Sequence, residues 1–202
     1  MKKKIGIYGG TFSPPHVGHV GAAESFSKAI DPDELLIMPD FLPPHKQIDG
    51  EATPEERLKM CALAFGHIKN VRISDMEIKR GGRSYTSVTL EELSSEDSEL
   101  YFLCGTDMFV TLEEWYRTEL IFKLATICYV RRETDAVFDS LTKRLETEYK
   151  QKYGARIIRI DADVKEVSST ELRAMLSNGD KRAEALLSES VSGFICERGL
   201  YK

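Results

Sequence analysis

The chain has 202 residues, with 28 Lys plus Arg against 33 Asp plus Glu, a formal charge of −5 at pH 7 and a pI near 5.5. At 42% hydrophobic and 30% charged it can bury an ordinary core, on the order of 70% of the unfolded surface at this length, which excludes an intrinsically disordered chain. The acidity argues against a general nucleic-acid binder, which carries a basic face and a high pI, yet leaves room for phosphate ligands held by a few placed cations and backbone N–H groups.

In chain order, apolar runs at 4–8, 34–38, 71–74, 100–104, 126–130 and 156–160 read as strands, several without polar alternation. Strands that are apolar throughout belong in a sheet covered on both faces. Between them lie helical stripes: Ala22, Phe26, Ala29 and Ile30 after the first strand, and Phe138, Leu141, Leu145 and Tyr149 after the fifth. Thr53-Pro54-Glu55-Glu56 combines an N-cap threonine, a proline at N1 and a glutamate at N3, a capping box that starts a helix over 54–65. From 168 onward the pattern is helical, with Ser168-Ser169-Thr170 before Glu171 to Leu176, then segments at 181–187 and 191–197. The alternation predicts an α/β fold, a doubly wound parallel sheet of Rossmann-like type, with a carboxyl-terminal helical segment. One domain over 1–202 is expected, the sheet in 1–160 and the helical segment in 161–202.

The basic start, Met1 to Lys4, precedes too short an apolar run for a signal peptide, and no run approaches the roughly 18 apolar residues of a membrane span. Cys61, Cys104, Cys128 and Cys196 are widely spaced without a CxxC pair, as expected of reduced thiols in a soluble cytoplasmic protein. No membrane partner is expected; whether the chain forms a homo-oligomer is left open.

The first strand runs into Gly9-Gly10-Thr11-Phe12-Ser13-Pro14-Pro15-His16-Val17-Gly18-His19. Two glycines at a strand end let the chain turn and a ligand approach the backbone, and in a doubly wound sheet that is where ligands bind. His16 and His19, three apart, fall on one helical face near its N-terminus; a protonated imidazole donates from both nitrogens and suits phosphate oxygens. No Walker motif and no GxGxxG are present, and a zinc reading lacks both the HExxH spacing and a third ligand.

GGTFSPPHVGH resembles the GGTFDPxHxGH signature of the bacterial nicotinate-nucleotide adenylyltransferases, within the HxGH nucleotidyltransferases. Ser168, Ser169, Thr170 and Arg173 match a second element, SSTxxR, and the likeness continues through Pro43-Pro44-His45-Lys46, Arg83 to Thr86, Gly105-Thr106-Asp107 and Trp115. The resemblance implies adenylyl transfer from ATP to nicotinate mononucleotide, with Mg²⁺ travelling on the triphosphate and no dedicated protein metal site. It implies an ATP site of Gly9, Gly10, Thr11, Phe12, His16, His19, Ser168, Ser169, Thr170 and Arg173, with His16 and His19 catalytic. It implies an acceptor site of Lys46, Tyr85, Thr86, Gly105, Asp107 and Trp115, the pyridine ring stacking on the tryptophan. Arg131 and Arg132 are expected to add positive potential at the same sheet edge, and 143–152 to be a solvated helix face. Ser13 replaces the family's aspartate and Val88 a frequently acidic position. Alternatives are an enzyme preferring nicotinamide mononucleotide, another small-molecule adenylyltransferase such as a phosphopantetheine adenylyltransferase, and a nucleotide-binding module without catalysis.

Overall fold

The computed structural model describes residues 1–43, 52–131, 136–162 and 167–202. Six strands, β1 (Lys3–Gly10), β2 (Glu34–Pro39), β3 (Val71–Ile73), β4 (Ser98–Gly105), β5 (Ala125–Arg131) and β6 (Ile157–Asp161), form a parallel sheet in the order β3-β2-β1-β4-β5-β6. The order reverses between β1 and β4, so the crevice of this doubly wound sheet opens at their carboxyl ends.

The strands are apolar throughout because both faces are covered. Tyr8, Leu35, Ile37, Leu103, Cys128 and Val130 face one layer. Ile5, Ile7, Leu36, Met38, Phe102 and Ile127 face the other. The first layer is made by α1 (Val17–Ile30), α2 (Pro54–Phe65), α8 (Ser169–Ser177) and α9 (Glu189–Arg198). The second is made by α4 (Thr86–Leu93), α5 (Thr106–Val110), α6 (Thr118–Leu124) and α7 (Ala136–Tyr153). Gly6 lets α1 lie close to β1, since a Cβ there would stand 3.1 Å from both Leu35 and Phe26 side chains.

Helix α2 begins with the expected capping box: the Thr53 hydroxyl accepts from the Glu56 N–H while the Glu56 carboxylate accepts from the Thr53 N–H. The α7 stripe holds, with Leu145 and Tyr149 buried. One stripe residue is corrected: Ala29 is exposed and Ala23 is buried in its place, because the buried arc of α1 runs through Gly18, Ala22, Ala23, Phe26 and Ile30. Helix α3 (Met76–Arg80), α5 and α6 span two turns or less, too short for a 3.6-residue period to declare itself. Arg131 is turned to Asp139 at 2.8 Å and Asp161 at 3.9 Å, so its charge is engaged locally. Arg132 lies outside the described residues. Among the described residues no helix is long and apolar enough to cross a membrane.

Candidate active site

At the reversal point a cleft opens to solvent, with roughly 910 Å³ of empty space when the open solvent at its mouth is included. The end of β1 supplies Gly9, Gly10 and Thr11 to its wall, β2 supplies Met38 and the following Asp40, and β4 supplies Phe102. Opposite stand Ser84, Tyr85 and Thr86 at the start of α4, with Trp115 and Tyr116 from the turn before α6. Three acceptor residues named from the sequence, Tyr85, Thr86 and Trp115, therefore converge. Trp115 is half-buried with its edge against Phe102, ring centroids 6.1 Å apart, so it belongs to the rim of the core and to the cleft at once. The Tyr85 and Tyr116 rings lie 4.6 Å apart at the same wall. Helix α4 has no side-chain cap hydrogen bond at Tyr85, and the Val88 N–H donates to the Tyr85 carbonyl at 3.0 Å. Gly105 and Asp107 stand at the carboxyl end of β4, beside the cleft but not in its lining. Val88 is likewise outside the lining. Lys46 lies outside the described residues.

His16 is the N-cap of α1, and the two histidines form a reciprocal capping box. His16 Nδ1 accepts the His19 N–H and His19 Nδ1 accepts the His16 N–H, each at 3.3 Å. The rings stack with centroids 3.7 Å apart. An Nδ1 atom that accepts a backbone N–H carries no proton, so in this arrangement a ring N–H of either histidine lies on Nε2. Below them Phe12 is buried, edge-on to His19 at 5.2 Å. Its ring supports the histidine, and only its backbone can face a ligand.

The second motif meets the first. Ser168 caps α8 by accepting the Glu171 N–H at 3.5 Å. The Ser169 hydroxyl donates to the Pro14 carbonyl at 3.5 Å, and Arg173 donates to the Ser13 carbonyl at 3.0 Å and to the Thr170 hydroxyl at 3.5 Å. Residues more than 150 apart in sequence are thus joined at one sheet edge.

Several polar groups at the site were not singled out from the sequence. Arg57 is wholly buried; it donates to the carbonyls of Thr11 at 2.9 Å, Asp40 at 2.7 Å and Phe41 at 3.4 Å, and to the Asp40 carboxylate at 3.1 Å. Asp40 in turn accepts from the Thr11 hydroxyl at 2.8 Å. A signal existed: Arg57 shares the buried stripe of α2 with Met60, Cys61, Ala64 and Phe65, and an arginine on such a stripe needs a buried partner. Glu77 of α3 also lines the cleft, 7% exposed, and accepts from the Thr89 hydroxyl. Burial pushes its carboxyl above the usual range and the Asp40 charge adds to the rise, opposed by hydrogen bonds from Thr89 and Ser84 and by the Arg80 guanidinium. Among the described residues no group of three or more His, Cys, Asp or Glu side chains could hold a metal ion.

Residues 7–175 match the family model described as cytidylyltransferase-like. A Listeria monocytogenes protein named "Probable nicotinate-nucleotide adenylyltransferase" is 35% identical over 203 residues, covering 100% of this chain and 98% of that one. A Caldicellulosiruptor saccharolyticus protein of the same name is 33% identical over 199 residues, covering 98% and 99% respectively. The structure of Plasmodium falciparum nicotinic acid mononucleotide adenylyltransferase complexed with NaAD superposes with a TM-score of 0.78 over 98% of this chain and 97% of that one; at 18% identity the likeness bears on the fold. Similarity of this extent, running from end to end, means that the chain belongs to the cytidylyltransferase-like family and, within it, to the nicotinate-nucleotide adenylyltransferases.

Proposed function

We propose that the protein transfers the adenylyl group of ATP to nicotinate mononucleotide, forming nicotinate adenine dinucleotide and pyrophosphate, in cytoplasmic NAD biosynthesis. The observation that carries this reading is one continuous wall: Gly9, Gly10 and Thr11 line an aromatic cleft and lead directly into the histidine-capped start of α1. An acceptor in the cleft and a triphosphate at the helix start would meet across that wall.

A phosphate oxygen of the acceptor attacks the α-phosphorus of ATP, the bond from that phosphorus to the bridging oxygen breaks, and pyrophosphate leaves. No protein nucleophile takes part, so the protein's contribution is alignment and neutralisation of charge. His16 and His19 donate to phosphate oxygens from Nε2, His19 most strongly in the transition state. Ser168, Ser169, Thr170 and Arg173 hold the outer phosphates, while the backbone of Gly9, Gly10, Thr11 and Phe12 borders the nucleotide. Mg²⁺ enters as part of the MgATP substrate, held by triphosphate oxygens and water.

On the acceptor side, Trp115 stacks on the pyridine ring, with Tyr85 beside it. The Thr86 hydroxyl and the N–H groups opening α4 receive the nicotinate carboxylate, a preference for acid over amide that rests on charge-assisted donors. Asp107 and Gly105 border the ribose, and Lys46 neutralises the acceptor phosphate. The test is pyrophosphate release by the purified protein with ATP, Mg²⁺ and either nicotinate or nicotinamide mononucleotide. Higher kcat/KM with the acid is expected; release with neither acceptor would end the proposal, and preference for the amide would reassign the acceptor.

A further inference from the structure

The loop that carries the first motif is held by the far end of the chain. The Ser13 hydroxyl lies 2.9 Å from the Tyr201 hydroxyl, a contact across 188 residues between two side chains that are 5% and 3% exposed. Tyr201 is the penultimate residue and adopts φ +60°, a left-handed conformation that a non-glycine residue keeps only where its surroundings require it. The chain turns this way just after α9, which ends at Gly199 with its own left-handed cap, and the turn delivers the tyrosine ring into the core layer of α1 and α2. Ser13 is held at a second point, since its carbonyl accepts from Arg173 at 3.0 Å. Three residues later the same loop becomes His16, the cap of α1. One serine therefore links the carboxyl terminus, the arginine of α8 and the histidine pair.

We propose that Tyr201 is a positioning residue for the ATP side of the reaction, acting through the Ser13 hydroxyl; this rests on the adenylyl-transfer reading above. Tyr201 is buried and is not among the residues that line the cleft. Its hydroxyl holds Ser13 so that Arg173 and the His16–His19 pair keep a common geometry toward the phosphates, where small displacements of aligned groups reduce rate. The pairing also gives Ser13 a specific part in this chain, in which serine replaces the family's aspartate.

The test is a double-mutant cycle of Tyr201→Phe and Ser13→Ala, with kcat, KM for ATP and KM for nicotinate mononucleotide measured together with thermal midpoints. Each single variant should lower kcat/KM for ATP about threefold to tenfold, the range of one lost buried hydrogen bond. The acceptor KM should stay within about twofold, and the double variant should lose no more than the worse single one. Unchanged ATP parameters alongside a lowered midpoint would reduce the pair to fold stabilisation and overturn the proposal. Additive losses, or an equal change in acceptor KM, would overturn it too. Calorimetric titration with ATP separates this from the parent reading. If wild-type protein binds ATP without releasing pyrophosphate, the adenylyl-transfer reading fails. The pair is then judged on ATP affinity: severalfold weakening in Tyr201→Phe supports positioning and equal affinity overturns it. A wild-type protein that does not bind ATP overturns both.

Discussion

Replacing Arg57 with methionine would test the buried scaffold beneath the cleft. The arginine side chain is 1% exposed and that of Asp40 10%, so the pair sits away from water with four hydrogen bonds from one guanidinium. Methionine retains much of the aliphatic stem but none of the donors. It removes the Arg57 donor from the Asp40 carboxylate and from the Thr11, Asp40 and Phe41 carbonyls. Breaking a buried pair by removing one partner costs about 3–5 kcal/mol, well above the roughly 0–1 kcal/mol of an exposed pair. Because Arg57 Nε has no hydrogen-bond partner among the described residues, the lower half of that range is expected. For a chain of this size each 1 kcal/mol corresponds to about 2–4 °C, so the midpoint should fall by roughly 6–16 °C. Urea unfolding followed by far-UV circular dichroism would give the free energy, with the m-value checking that the unfolded reference is unchanged. Asp40→Asn and Arg57→Met should combine non-additively, because both act on the same buried pair, the double variant losing less than the sum of the two single losses. A loss below about 1 kcal/mol at constant m, or additive losses in the double variant, would refute the reasoning.

Under the proposed reaction, His19→Ala should lower kcat by about 10²–10³ as an oxyanion-type donor is removed; near-normal turnover would remove that role. Trp115→Ala should chiefly raise the acceptor KM, the mark of binding shared by ground and transition states, and an unchanged KM would return the residue to the core. Glu77→Gln should alter the pH dependence of stability. Burial raises the folded carboxyl above its usual value near 4.5, so between the two values the folded protein binds more protons than the unfolded chain. The carboxyl's contribution is then greatest at acid pH and is lost as pH rises through that window. The wild-type minus variant difference in unfolding free energy should therefore fall with rising pH above about 4.5. A flat or rising difference would show that the hydrogen bonds from Thr89 and Ser84, with the Arg80 charge, outweigh desolvation.

Local pattern alone determined the sheet and its longer helices. Unbroken apolar runs such as Leu35 to Met38 require cover on both faces whatever the topology, and a capping box such as Thr53 to Glu56 closes within four residues. The motifs also named residues that the fold brings together: Tyr85, Thr86 and Trp115 line one cleft, and Arg173 meets the loop before His16. The short helices α3, α5 and α6 were not legible, because two turns or fewer carry no period. The partners of buried polar groups were not legible either. The burial of Arg57 was readable from its stripe, but its pairing with Asp40 depends on how α2 returns across β2. Glu77 enters the cleft only because α3 packs there, and Ser13 meets Tyr201 only once α9 has packed on α2. Periodicity states which face of an element is buried; which polar atoms then share that burial is decided by topology, and in this protein that decision shapes the site.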